Sequence, residues 1–136
     1  MKRPAFSLLL AATVIAALPA LAHHAFSAMY DDGKLVTISG VLTKVEWVNP
    51  HVYFYVDGKA GANGTSQQWA LESHPPMALR RAGLPRDMLV VGQTLKVEAY
   101  PSRDGQPVAF AKSVLFPDGK LVRIMLDPKQ DSAAAQ

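Results

Sequence analysis

The chain contains no cysteine among its 136 residues. That excludes disulfides, thiolate metal sites, a cysteine nucleophile and a lipid-modified cysteine. Charge is sparse and nearly balanced, with 14 basic against 11 acidic residues, a formal +3. No run of lysines or arginines is interleaved with aromatics, so nucleic acid is not an expected partner. The chain also lacks a Gly-x-Ser-x-Gly elbow, a His-Glu-x-x-His helix and a phosphate-binding loop. Glu46, Asp57, Glu72 and Asp118 are carboxylates for which the sequence places no partner. The expectation is a binding module, not an enzyme. The longest apolar run, Phe6 to Leu18, is interrupted by Ser7 and Thr13 and is short for a membrane span of roughly 20 residues.

That run has another reading. Met1-Lys2-Arg3 gives a positive start, and Pro19 precedes Ala20-Leu21-Ala22, an Ala-x-Ala cleavage site. Residues 1–22 read as a secretory signal peptide, with export to a bacterial periplasm and no membrane insertion after cleavage. Lys2 and Arg3 leave with the signal, which lowers the formal charge from +3 to +1. The exported chain then begins His23-His24-Ala25-Phe26.

Residues 23–34 read as an N-terminal arm, in which Phe26, Met29 and Tyr30 are available to pack on the body and Asp31-Asp32-Gly33-Lys34 turns the chain. A domain follows over residues 35–126. Its first strand, Leu35 to Trp47, changes phase: Val36 and Ile38 are apolar on one parity, and Val41, Val45 and Trp47 on the other. A bulge or bend at Gly40 would place both sets on one face. After Val48-Asn49-Pro50, a second strand puts Val52, Phe54 and Val56 inward and His51, Tyr53, Tyr55 and Asp57 outward. Gly58 to Thr65 reads as a hairpin loop. Gln67 to Glu72 reads as a third strand, with Trp69 and Leu71 on the core side.

Ser73-His74-Pro75-Pro76 stops that strand and starts a short helix, Met77 to Ala82, with Gly83 suited to the residue after its last turn. Gln93 to Tyr100 alternates with Leu95, Val97 and Ala99 inward. Val108 to Phe116 is apolar on both parities, so its inner face is unassigned, and Leu121 to Leu126 is a last short strand. Residues 127–136 are polar or Ala-rich and read as a disordered tail. Three strands, a helix, two strands and an extra strand predict an all-β, OB-like Greek-key barrel of five or six strands, with one short helix between strands three and four.

The chain resembles short exported bacterial proteins grouped as domain of unknown function 6152. The resemblance lies in His23-His24-Ala25-Phe26, Val36-Thr37-Ile38-Ser39-Gly40-Val41, Thr43-Lys44-Val45-Glu46-Trp47-Val48-Asn49-Pro50-His51, Leu79-Arg80-Arg81, Pro101-Ser102-Arg103-Asp104-Gly105 and Leu115-Phe116-Pro117-Asp118-Gly119. The paired leading histidines and the Val-Glu-Trp-x-Asn-Pro-His run are its specific parts. Leu84 stands where the family often has an aromatic, and His74 falls outside the family pattern and inherits no role from it. The resemblance implies an exported small β domain and carries no activity.

Two candidate sites follow. With cleavage after Ala22, His23 offers its α-amine and a ring nitrogen as a chelate, and His24 or His51 adds an imidazole. This is the nitrogen-rich set that Cu(II) favours, and an α-amine with a pKa near 7.7–8.0 deprotonates onto a metal at modest cost. At the level of ligands it resembles the histidine brace of copper enzymes and carriers. Against this stands a frayed, solvated terminus, with His51 a turn residue bonded to its neighbours. The other candidate is the barrel face that OB folds use: Tyr53, Tyr55, Asn49 and Arg103, which would bind peptide, glycan or an envelope protein without metal. Here the competing reading is cross-strand packing under the arm.

Overall fold

The computed structural model describes residues 25–125 of the chain. The signal segment, His23, His24 and the tail from Leu126 lie outside the described residues. Six strands make one sheet: β1 (Val36–Glu46), β2 (Tyr53–Ala60), β3 (Gln67–Glu72), β4 (Thr94–Pro101), β5 (Val108–Leu115) and β6 (Leu121–Arg123). Their order is β3-β2-β1-β4-β5-β6, and a parallel pairing of β3 with β5 closes the first five into a barrel. The helix α1 (Pro76–Arg81) falls between β3 and β4, as expected of an OB-like topology. β6 is the extra strand, and pairs only with β5. Among the described residues no helix is long and apolar enough to cross a membrane.

β1 bends, but not at Gly40. The pairing with β2 runs Ile38↔Ala60 to Leu42↔Val56, then resumes at Lys44↔Tyr55, so the extra residue is Thr43. Ile38 and Leu42 are buried on one parity and Val45 and Trp47 pack against the core on the other, while Val41 is 41% exposed. Leu42 therefore takes the inward position that the pattern gave to Val41. Gly40 serves a different purpose. It lies opposite Gly58, and a Cβ on it would come within 2.1 Å of the Asp57 carbonyl oxygen. The two glycines let strands β1 and β2 close tightly, an approach that any side chain blocks.

The barrel interior holds Ile38, Leu42, Val52, Phe54, Val56, Trp69, Leu71, Leu95, Val97, Ala99, Ala109, Ala111 and Val114, with Leu79 of α1 entering the same cluster. Proline at the start of α1 lacks only a donor that a first helical turn leaves unpaired. The two-sided apolarity of β5 is explained by a second, outer cluster. There Phe110 packs with Tyr30 and Tyr100, and Phe26, Val108 and Met125 lie against them. Ala109, Ala111 and Val114 face the interior. One strand thus serves two apolar layers.

The outer layer exists because the arm docks. Residues 25–29 form a helical turn, and Tyr30 bridges to Ser102 beside the β4–β5 loop. Asp31 N–H donates to the Pro101 carbonyl at 2.9 Å, and Arg103 N–H to the Met29 carbonyl at 3.0 Å. Phe26 meets Tyr30, Tyr100 and Phe110 with ring centroids 5.2–5.8 Å apart, two of the three edge-on, the orientation aromatic quadrupoles favour. Met29, expected to pack, is exposed.

Candidate functional site: a carboxylate joining the arm to His51

Alternation on β2 places Tyr53 and Tyr55 outward, and Tyr53 pairs with Glu72 of β3. Glu72 also points outward, yet is 7% exposed, because the arm and Phe110 cover it. A carboxylate so enclosed must be hydrogen-bonded to be tolerated. Both of its oxygens are. Oε2 accepts from the Tyr30 hydroxyl of the arm, and Oε1 meets Nδ1 of His51. With both Glu72 oxygens as acceptors, His51 donates through Nδ1 and carries its lone pair on Nε2. The His51 side chain remains 41% exposed, so that lone pair has access to a ligand.

His74 stands at the same end of the barrel. The Val52 carbonyl accepts from Ser73 N–H at 2.9 Å, and Val52 N–H donates to the His74 carbonyl at 3.2 Å. Two residues beyond β3 thus oppose one beyond β2, a bulge. The His74 ring lies edge-on to Phe110 at 5.1 Å. Burial, and then the neighbouring His51, lower the pKa of His74 below the usual imidazole value, which keeps the ring neutral at neutral pH. The Tyr30 phenol is pushed far above its usual range, by burial first and then by Glu72. Tyr53 shifts upward for the same two reasons.

The predicted residues separate into groups. His51 and Tyr53 share the Glu72 neighbourhood. Tyr55 lies further along β2, where its hydroxyl donates to Glu46 Oε2 at 3.1 Å and the Lys44 ammonium sits 5.2 Å from the ring centroid. Asn49 is exposed in the turn before β2. Arg103 is turned to the arm: Nε donates to the Ser27 carbonyl at 2.6 Å and Nη2 to Asp32 at 3.3 Å. His23 and His24 lie outside the described residues.

Sequence reading missed Glu72, Tyr30 and His74 as partners of His51. Glu72 and His51 were both assigned outward, but the β2–β3 register that aligns them was not. Among the described residues no group of three or more His, Cys, Asp or Glu side chains is placed to hold a metal ion. His51, through Nε2, and His74 are the two nitrogen donors at this end of the barrel, and a complete site here needs ligands from outside residues 25–125.

A family model described as a family of unknown function, DUF6152, matches residues 11–111. Neither a curated protein nor a solved structure matches the chain. With most of its length so matched, the chain belongs to the DUF6152 family.

Proposed function

We propose that the protein is exported to the periplasm as a binding module and takes up Cu(II), for storage, delivery or sensing. The ligands are the His23 α-amine and imidazole together with His51, with His24 as the alternative imidazole. One observation carries this reading: Glu72 accepts from Tyr30 of the arm and from Nδ1 of His51. The arm and His51 are thereby tied to a single carboxylate, and the free Nε2 belongs to an imidazole held in orientation from behind. A carboxylate bonded to the second nitrogen is the arrangement that orients metal-binding histidines and raises their basicity. Covalent reach supports it as well, since three peptide units put the His23 Cα within about 11 Å of that of Phe26.

The alternative is a metal-free accessory protein that binds peptide, glycan or an envelope partner on the Tyr53/Tyr55 face. It draws on two half-buried tyrosines. The Tyr55 hydroxyl and ring are already engaged by Glu46 and Lys44, which leaves that face less to offer.

The test begins with the intact mass of the exported protein, which must correspond to a chain starting at His23. Cu(II) titration followed by EPR then shows nitrogen ligation at one equivalent, weakened in His23→Ala and in His51→Ala. A different first residue removes the chelate. Unchanged spectra in both variants remove the site.

A further inference from the structure

We infer that His74 is a ligand of the same copper ion, so that the barrel supplies two imidazoles, His51 and His74, to an ion chelated by the N-terminus. The inference rests on the copper reading above and adds a residue to which neither the family pattern nor the sequence motifs assign a role.

Three observations place His74 there. Val52, the residue after His51, is hydrogen-bonded to both Ser73 and His74, so the pairing of β2 with β3 continues past the strand ends and carries both histidines to one end of the barrel. The His74 ring packs on Phe110 at 5.1 Å, and the opposing contact of Phe110, at 5.2 Å, is Phe26 of the arm. A single aromatic ring therefore separates His74 from a residue three positions after His23. Finally, the His74 ring nitrogens have no hydrogen-bond partner among the described residues, although the ring is half-buried. Burying a polar ring without partners is costly, and a ligand offsets that cost.

The local sequence fixes the position. Pro75 restricts His74 to extended backbone, and its carbonyl is held by Val52, so little conformational freedom is lost on metal binding. An amine, the His23 ring and two body imidazoles give the four nitrogens that Cu(II) accommodates in a roughly planar set.

The experiment uses the full exported chain, stripped with chelator and reloaded with one equivalent of Cu(II). Pulsed EPR counts coordinated imidazoles, and competition titration gives affinity. The wild-type protein shows three imidazoles. His74→Gln and His74→Phe each show two, and bind at least about tenfold more weakly, the loss that even an outer partner of a metal ligand causes. His74→Phe keeps an aromatic against Phe110, and circular dichroism verifies that each variant is folded. In the wild-type protein the first equivalent of Cu(II) also broadens the NMR signals of the His74 ring, a readout that needs no variant. Unchanged imidazole count in both His74 variants, or a sharp His74 ring signal, overturns the inference. If His23→Ala still weakens binding in that case, the terminal copper site stands without His74. If His23→Ala has no effect either, the copper reading itself falls.

Discussion

Tyr30 and Glu72, 42 residues apart, share a buried hydrogen bond that attaches the N-terminal arm to the outer wall of the barrel. Because Glu72 also holds His51, one side chain serves both the docking of the arm and the orientation of the imidazole. Glu72→Ala leaves the Tyr30 hydroxyl without its acceptor and should cost about 1–3 kcal/mol in chemical denaturation. The same variant should weaken Cu(II) binding about 10–100-fold, as loss of a partner behind a metal-binding histidine does. Loss of stability with unchanged copper affinity would separate His51 from the metal.

Arm docking should depend on aromatic burial more than on charge. Arg103 reaches Asp31 and Asp32 from a side chain that is nearly half exposed, and such pairs contribute about 0–1 kcal/mol. Phe26 is partly enclosed by three rings. Phe26→Ala should cost about 1–2 kcal/mol, below the roughly 3–5 of a fully enclosed phenylalanine. Hydrogen exchange checks the order: the Tyr30 amide, which donates to the Phe26 carbonyl, should exchange faster in Phe26→Ala than in Arg103→Ala.

The bulge at Thr43 makes adjacent positions on β1 unequal. Leu42→Ala should destabilise by about 2–5 kcal/mol, whereas Val41→Ala should stay within about 0.5 kcal/mol. Gly40→Ala should cost about 3 kcal/mol, since the new methyl meets backbone and not a side chain that can turn aside. Thermal melts of the three variants provide the comparison.

Strand content, the helix after β3 and most inward positions were legible because apolar alternation reports burial directly. Less legible was what depends on register. From alternation alone, Val41 and Leu42 are equally good core candidates, and only the pairing with β2 shows that Leu42 faces inward. Phe110 and Glu72 gave no signal because their burial comes from the arm, a segment distant in sequence. His51 was legible as an outward residue near a binding loop, but its partner was not. The alignment of Tyr53 with Glu72 sets that, and it emerges only when the hairpin closes.

Tyr30 gives the fold a defined alkaline limit. Its pKa is raised in the folded protein, by burial and by Glu72, while in the unfolded chain it is about 10. The folded state therefore holds this proton more tightly, so its contribution is complete below pH 10 and is lost as pH rises beyond it. Denaturation between pH 8 and pH 11 should show stability falling in the wild-type protein, with a shallower fall in Tyr30→Phe. Equal slopes would show that the phenol is not held as described.

Paramagnetic broadening tests most directly whether the arm's beginning and His51 meet at one metal ion. One equivalent of Cu(II) added to the exported chain should broaden the Ala25 and Phe26 amides and the His51 ring together, and leave the β2–β3 hairpin around Gly61 sharp. Broadening of the first residues with a sharp His51 ring would contradict a shared site.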